Sequence, residues 1–431
     1  MTGIFILLTL FGFLLAGIDI AFAMAGLGIV MLLVGGYSPL MVPQAMLSSV
    51  DNFILLAVPL FILMANVLLK GGAGERLFSA VQSWIGHWPG GLAVATVLSC
   101  AIFGATSGSS VATSATIGTV AIPEMVNRGY ERRFVFGLLA AGGTLGILIP
   151  PSIPMIVFGF VLSESIVDLF LAGIGPGLLL ATVFIAYVVA KAHFGSGYQS
   201  MPRASWVERW TATARALPAF ALAAGIVFGI YLGVFTPTEA AGVGFVAALV
   251  ITLGIYRSLR FSDLPQIAIA SMRTTVMILF IIVGAKVFGQ AITLYQLPQD
   301  VTALVTGSMT SPIAFIVAIC ALLLALGCVL ETLSMMLLML PIIQPSLGGL
   351  GIDPIWFGVI FTMMIECALI TPPVGLNLFV IQAVARQTPD GAGTTIADIV
   401  HGVLPFVILI LITVSIVVAV PDIALYIPFR L

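Results

Sequence analysis

A chain of 431 residues with 61% hydrophobic types and only 7% charged residues is no soluble globular protein, whose charged share is about 25%. The formal net charge of −2 carries no signature of nucleic acid or of acidic partners, and no nucleic-acid partner is expected. A mean hydropathy of +1.24 makes the lipid bilayer the first partner. Uncharged stretches at 3–18, 20–50, 134–163, 169–190, 216–238, 240–256, 301–330 and 402–421 are each long enough for one or more crossings of a hydrocarbon core about 30 Å thick.

The N-terminus lacks a basic leading region and a small-residue cleavage site, so the first helix is expected to be retained. Next come 53–69, then Lys70 and Arg76, then the stretch 92–123 followed by Arg128, Arg132 and Arg133. The middle of 92–123 reads Thr106-Ser107-Gly108-Ser109-Ser110. Each arm of about 13–15 residues gives roughly 20 Å of helix, enough to reach a midplane and too short to cross. A break at that depth is tolerated only in protein or against a watery cavity, so 92–123 is read as a re-entrant helical hairpin. A broken helix over about 134–163 follows, interrupted at Ile149-Pro150-Pro151-Ser152, because proline removes a backbone donor and disfavours helix before it.

The most polar stretch is 193–215, with Trp206 and Trp210 among Arg203, Arg209 and Arg215, and reads as a linker along the cytoplasmic interface. Beyond it the plan recurs. A second hairpin over about 311–345 carries Glu331-Thr332-Leu333-Ser334 at its tip, and a second broken helix over about 354–386 is interrupted at Thr371-Pro372-Pro373-Val374-Gly375-Leu376-Asn377. Gly26 aligns with Gly242, Phe61 with Phe280 and Pro150 with Pro372, at an offset that drifts by only a few residues. Placing the Lys and Arg clusters in the cytoplasm makes the hairpins enter from opposite faces and puts both termini outside. The expected fold is therefore an all-α polytopic membrane protein built as an inverted repeat, 1–192 and 216–431, with two re-entrant hairpins and two broken helices.

In such repeats half-helix N-termini offer free N–H groups to an anion, and unwound carbonyls with hydroxyls offer oxygen ligands to a small cation. Ser107, Gly108, Ser109 and Ser110 are expected to face Pro150. Thr332 and Ser334 are expected to face Thr371, Pro372, Gly375 and Asn377. The competing account is that small residues merely let helices pack closely. Lys286, inside the otherwise uncharged 274–299, is either the charge complement of an anionic substrate, a surrogate cation, or an ion-pair partner of Glu331 or Glu366. Glu366 either biases a cation site, carries a proton or caps broken backbone, while Asp19, Asp51 and Glu239 fall at segment ends where capping or snorkelling accounts for them. Cys100, Cys320, Cys328 and Cys367 lack CxxC spacing and read as reduced core residues. His87, His193 and His401 are scattered and suggest no metal cluster.

Four motifs in order, Ser107-Gly108-Ser109-Ser110, Ile149-Pro150-Pro151-Ser152, Phe235-Thr236-Pro237-Thr238-Glu239-Ala240-Ala241 and Ile370-Thr371-Pro372-Pro373-Val374-Gly375-Leu376-Asn377, resemble the large membrane subunit of tripartite ATP-independent periplasmic (TRAP) transporters. The resemblance runs over essentially the whole chain. It implies an elevator-type transport domain, about 51–163 plus 271–386, moving against a scaffold. Coupling to Na+ and import of a small carboxylate such as a C4-dicarboxylate or a sialic acid also follow from it. It implies a bacterial inner-membrane location, a periplasmic binding protein that delivers substrate, and a small four-helix membrane subunit as a separate chain. By that resemblance Ser107, Gly108, Ser109, Pro150, Thr332, Glu366, Thr371, Pro372 and Gly375 become the Na+ residues. Ser109, Ser110, Thr332, Ser334 and Asn377 become the substrate residues, with Lys286 as charge complement. No catalytic residue is expected, since HExxH, GxSxG and aspartates paired on neighbouring spans are missing from the sequence, and no cofactor is expected beyond Na+ as coupling ion. The rival is a divalent-anion sodium symporter of the same architecture that works without a binding protein.

Overall fold

Inside lipid each backbone N–H and C=O must find a partner within the protein, which favours helix throughout a chain this apolar. The computed structural model of the protein describes residues 2–194, 200–308, 311–372, 375–388 and 393–430, and the described residues form no strand. In the first half the helices are α1 (Thr2–Leu15), α2 (Ile20–Val34), α3 (Met41–Val50), α4 (Ala57–Lys70), α5 (Ala73–Ile85), α6 (Gly91–Ser107), α7 (Ser110–Val126), α8 (Arg132–Leu148), α9 (Ile153–Leu162) and α10 (Ile166–Phe194). In the second half they are α11 (Trp206–Tyr231), α12 (Pro237–Leu249), α13 (Leu264–Leu294), α14 (Leu297–Ser308), α15 (Pro312–Leu326), α16 (Thr332–Gly349), α17 (Pro354–Ile370), α18 (Leu376–Arg386), α19 (Ile396–Ala419) and α20 (Asp422–Arg430). Among the described residues seven helices are long and apolar enough to cross a membrane, and the bent pair α8–α9 makes an eighth.

Local chemistry explains where the helices start. Asp19 caps α2 by accepting from Ala21 N–H, and Asp353 caps α17 by accepting from Trp356 N–H. Ser205 with Glu208, Thr236 with Glu239, and Thr395 with Asp398 close capping boxes on α11, α12 and α19, each satisfying two otherwise orphaned donors. Thr236 and Glu239 of the third motif thus have a structural role.

The succession of elements in the two halves matches: α4–α5, the pair α6–α7, the broken pair α8–α9 and the long α10 correspond to α13–α14, α15–α16, α17–α18 and α19. Packing exchanges between the halves. Helix α9 lies on α16 and α18 lies on α7, while α2 lies along α13 and α12 along α4. Each half therefore completes its core with elements of the other.

Three expectations change. The stretch 206–215 is not a separate linker but the opening of α11, packed on α5; the Ser205–Glu208 capping box starts a helix there. Residue 271, set as the edge of a mobile domain, lies inside the continuous helix α13. The second helix pair breaks at 327–331, upstream of the expected tip, so Thr332 and Ser334 lie in the first turn of α16. Its arms also diverge: α15 lies along α17, whereas α16 lies on α9, α13 and α14. The first pair closes tightly because a two-residue turn, left-handed Gly108 (φ 60°) and extended Ser109, joins its arms; the longer second connection does not force that approach. Helices of 17, 17 and 18 residues in α6, α7 and α16 span about 25–27 Å at 1.5 Å per residue, longer than the expected arms.

The α6–α7 pair sits on α8 through backbone. A Cβ on Gly104 would strike the Gly146 main chain, and one on Gly143 would strike Ser114 Oγ. Gly146→Val should therefore destabilise the protein by ~1–3 kcal/mol or more, as overpacking does. Gly242→Ala, where a Cβ meets nothing within 4 Å, should be neutral or stabilising by up to ~1 kcal/mol. Thermal unfolding of the detergent-solubilised chain, followed by tryptophan fluorescence, compares the two.

Candidate functional site

The exchange between halves brings one hairpin turn to both broken helices. Ser109 is the N-cap of α7 and accepts from Ala112 N–H at 3.3 Å. The Ser107 hydroxyl shares a 2.9 Å hydrogen bond with Thr113 Oγ1 and donates to Ser109 O at 3.4 Å. Gly108 faces the first proline break, where a Cβ would come 2.8 Å from Pro151 O. Positive φ and this close carbonyl both require glycine there. Pro150 is buried and joined to Pro151 by a cis peptide bond; Ser152 caps α9 through Met155 N–H.

From the other side, α18 delivers Asn377. Its amide Nδ2 donates to Ser110 Oγ and to Ala140 O of α8 at 3.4 Å, tying the second break to the first hairpin and the first broken helix. Asn377 Oδ1 and both carboxylate oxygens of Glu366 are buried without a hydrogen-bond partner. Buried oxygens left over in this way are costly, and a cation or a proton would satisfy them.

The second cluster is built differently. Gly327 lies against the main chain of Ala368, and the Cys328 thiol donates to Pro372 O at 3.8 Å, so the 327–331 connection meets the second break. Thr371 Oγ1 donates back to Cys367 O at 2.6 Å, and Gly375 takes φ 48° as the cap of α18. Pro373 and Val374 lie outside the described residues. Glu331 caps α16: its carboxylate accepts from Ser334 N–H at 2.9 Å and from Ser334 Oγ at 2.8 Å. The Ser334 hydroxyl, expected to meet substrate, is thus committed to that cap, while Thr332 is buried beside it.

Lys286 is not at either break. It lines a cavity of 570 Å³ between α3, α9, α13 and α16, with Gln44, Gln290 and Gln344 as further polar lining. Its Nζ stands 5.6 Å from the Phe160 ring centroid, and no ion pair with Glu331 or Glu366 forms among the described residues, so that alternative is set aside. The cavity wall on α16 begins at Leu337, one turn beyond Ser334. In the sequence, the one signal for these glutamines is an amide inside an otherwise apolar segment.

Broken apolar helices that meet at buried, oxygen-rich turns define a polytopic membrane permease in outline. The comparisons specify it: residues 5–423 match the family model described as "Tripartite ATP-independent periplasmic transporter, DctM component", and the chain belongs to that family of large permease subunits. It is 40% identical over 381 residues to the C4-dicarboxylate TRAP transporter large permease protein DctM of Pseudomonas aeruginosa, covering 88% of this chain and 87% of the relative. It is 32% identical to the sialic acid TRAP transporter large permease protein SiaM of Vibrio cholerae, covering 97% of this chain and 96% of the relative. The solved structure of the Alcanivorax borkumensis YdaH transporter shares the fold, with a TM-score of 0.54 and 14% identity over 90% of this chain and 88% of that one. The family sets aside the symporter that works without a binding protein, and the relatives named here are permease proteins.

The Asn377 bridge predicts a coupled energetic effect. Asn377→Ala should cost ~1–3 kcal/mol, the range for leaving buried polar groups unsatisfied. Ser110→Ala added to it should cost little more, because both remove one bond. A double-mutant cycle in chemical unfolding measures the coupling.

Proposed function

We propose that this permease imports a small organic acid together with Na+, receiving the acid from a periplasmic binding protein and working beside a separate small membrane subunit. The observation that carries the reading is the set of unpartnered buried oxygens, Glu366 and Asn377 Oδ1, beside the Ser107–Ser110 turn. Hard oxygen donors of this kind suit a small cation. Na+ is held first by Ser107, Gly108, Ser109 and Pro150, with Glu366 supplying negative charge. A second ion is held by the carbonyls and hydroxyls of Thr371, Pro372, Gly375 and Thr332. Bound cation orders the turns and so completes an anion site at the N-termini of α7 and α16, where Ser109, Ser110 and Asn377 contact the acid.

The cavity beside Lys286 is the route by which the carboxylate arrives, and Lys286 supplies its charge complement there. The turns re-enter from opposite faces of a bacterial inner membrane, with both termini periplasmic. The loaded domain, about 51–163 plus the part of 271–386 beyond α13, slides as an elevator against a frame that includes α2, α11, α12 and α13. Because α9 packs on α16 and α18 on α7, the two hairpin regions move together as one body.

Proteoliposomes containing the chain with both partners should accumulate a C4-dicarboxylate only under an inward Na+ gradient. Equal uptake with K+ alone would contradict the coupling. Ser109→Leu and Thr371→Leu should abolish uptake while leaving membrane insertion intact. Lys286→Ala should reduce uptake by about tenfold or more, the loss expected when a charge-assisted contact of ~1.5–3 kcal/mol is removed; undiminished uptake would remove Lys286 from the substrate route.

A further inference from the structure

Helices α5, α11 and α12 enclose a feature that the transport reading does not use. A cavity of 650 Å³ opens between α5, α11 and the Ile255-Tyr256 turn, lined by Glu75, Arg76, Arg215, Ser79, Thr211 and Tyr256. Directly beside it runs an apolar groove of 380 Å³, lined by Leu222, Gly225, Phe235, Val243 and Ile251. The two share Pro218 and Ile255, so they form one crevice with a basic head and an apolar tail.

The groove follows a local change of helix type. After Leu249 the chain runs as a π-helical turn over Val250–Ile255, closed by Tyr256 N–H donating to Ile251 O at 2.7 Å. Such widened turns are uncommon and tend to mark sites. At the head, Arg76 is held in place: its Nη1 donates to Gly71 O and Gly72 O at 2.9 Å, and its guanidinium lies 4.1 Å above the Tyr256 ring. Arg215 is exposed and forms no ion pair among the described residues. Glu75 pairs with neither arginine. The depth is that of a headgroup layer, since α11 opens with Trp206 and Trp210, 63% and 61% exposed, and both meet Trp84 edge-on. Aromatic residues of this kind settle at the membrane–water boundary.

We propose that this crevice seats one anionic glycerophospholipid, its phosphate between Arg76 and Arg215 and an acyl chain in the groove past Pro218. A soluble phosphate would leave the apolar half empty, and a zwitterionic lipid, whose phosphate is balanced by its own cation, would bring no net charge to a cavity lined by two guanidinium groups and one carboxylate. Basic pockets between helices at the cytoplasmic boundary take acidic headgroups for the same reason. The crevice belongs to the arrangement described here, with α5 packed on α11, and the inference holds whatever acid or ion the permease carries.

The test is native mass spectrometry of the full chain released from nanodiscs of equal phosphatidylglycerol and phosphatidylcholine. Wild type should keep one phosphatidylglycerol in preference to phosphatidylcholine. Arg215→Gln should weaken that retention roughly fivefold, the effect of one basic residue at an acidic membrane surface. Gly225→Phe should reduce it independently, because a Cβ at Gly225 meets nothing within 4 Å and the ring enters the groove without disturbing the core. Unchanged retention in both variants would overturn the proposal. So would an equal thermal shift from inorganic phosphate alone, which marks a free-anion pocket. A crosslink from Gly225→Cys to the small membrane subunit in the intact complex would overturn it too, because the groove would then be covered by protein.

Discussion

Everything at the core depends on one requirement: a helix broken away from water must have its freed backbone groups satisfied by protein. Around the breaks the two halves are bound to each other. Asn377, at the start of α18, reaches Ser110 of α7 and Ala140 O of α8, so the helix that follows the second break is tied to the first hairpin. Helix α9 lies on α16 in the corresponding place. Neither half completes this region alone. The close backbone contacts of Gly104 with Gly146, and of Gly137 with Gly402, are the steric side of the same arrangement.

That closure is nearly complete, and the remainder is informative. Hydroxyls of Ser107, Thr113, Ser114 and Thr144 all find partners, whereas Glu366 and Asn377 Oδ1 do not. Most polar groups of this region are spent on holding its own shape, and these few oxygens are the ones to which the proposal assigns Na+. The second cluster differs because Glu331 already binds the Ser334 hydroxyl. The halves are therefore alike in plan and unlike in chemistry.

Most of the plan was legible in the sequence because the punctuation is strong. Gly108 between serines, Pro150-Pro151 and Pro372 each impose a break whatever surrounds them, and α6–α7, α8–α9 and α17–α18 fall where those residues put them. The second pair was misplaced by four residues because Glu331 and Ser334 read as polar tip residues, when they are a cap and its first turn. The stretch 206–215 was read as a linker because its charges and tryptophans mask a helix that opens with a capping box. Lys286 was grouped with the breaks on charge alone. Its cavity is formed by α3, α9, α13 and α16, a long-range juxtaposition that no local pattern encodes. The Asn377–Ser110 contact, 267 positions apart, likewise needed the fold.

The central claim is that the free oxygens at the junction of the halves bind Na+. The most direct measurement is the melting temperature of the purified chain as NaCl replaces KCl at constant ionic strength, since a ligand that binds only the folded state raises it by mass action. A saturable rise with Na+ is expected, reduced in Glu366→Leu to the share of the second ion and retained in full in Lys286→Ala. Identical melting curves in NaCl and KCl for the wild-type chain would contradict it.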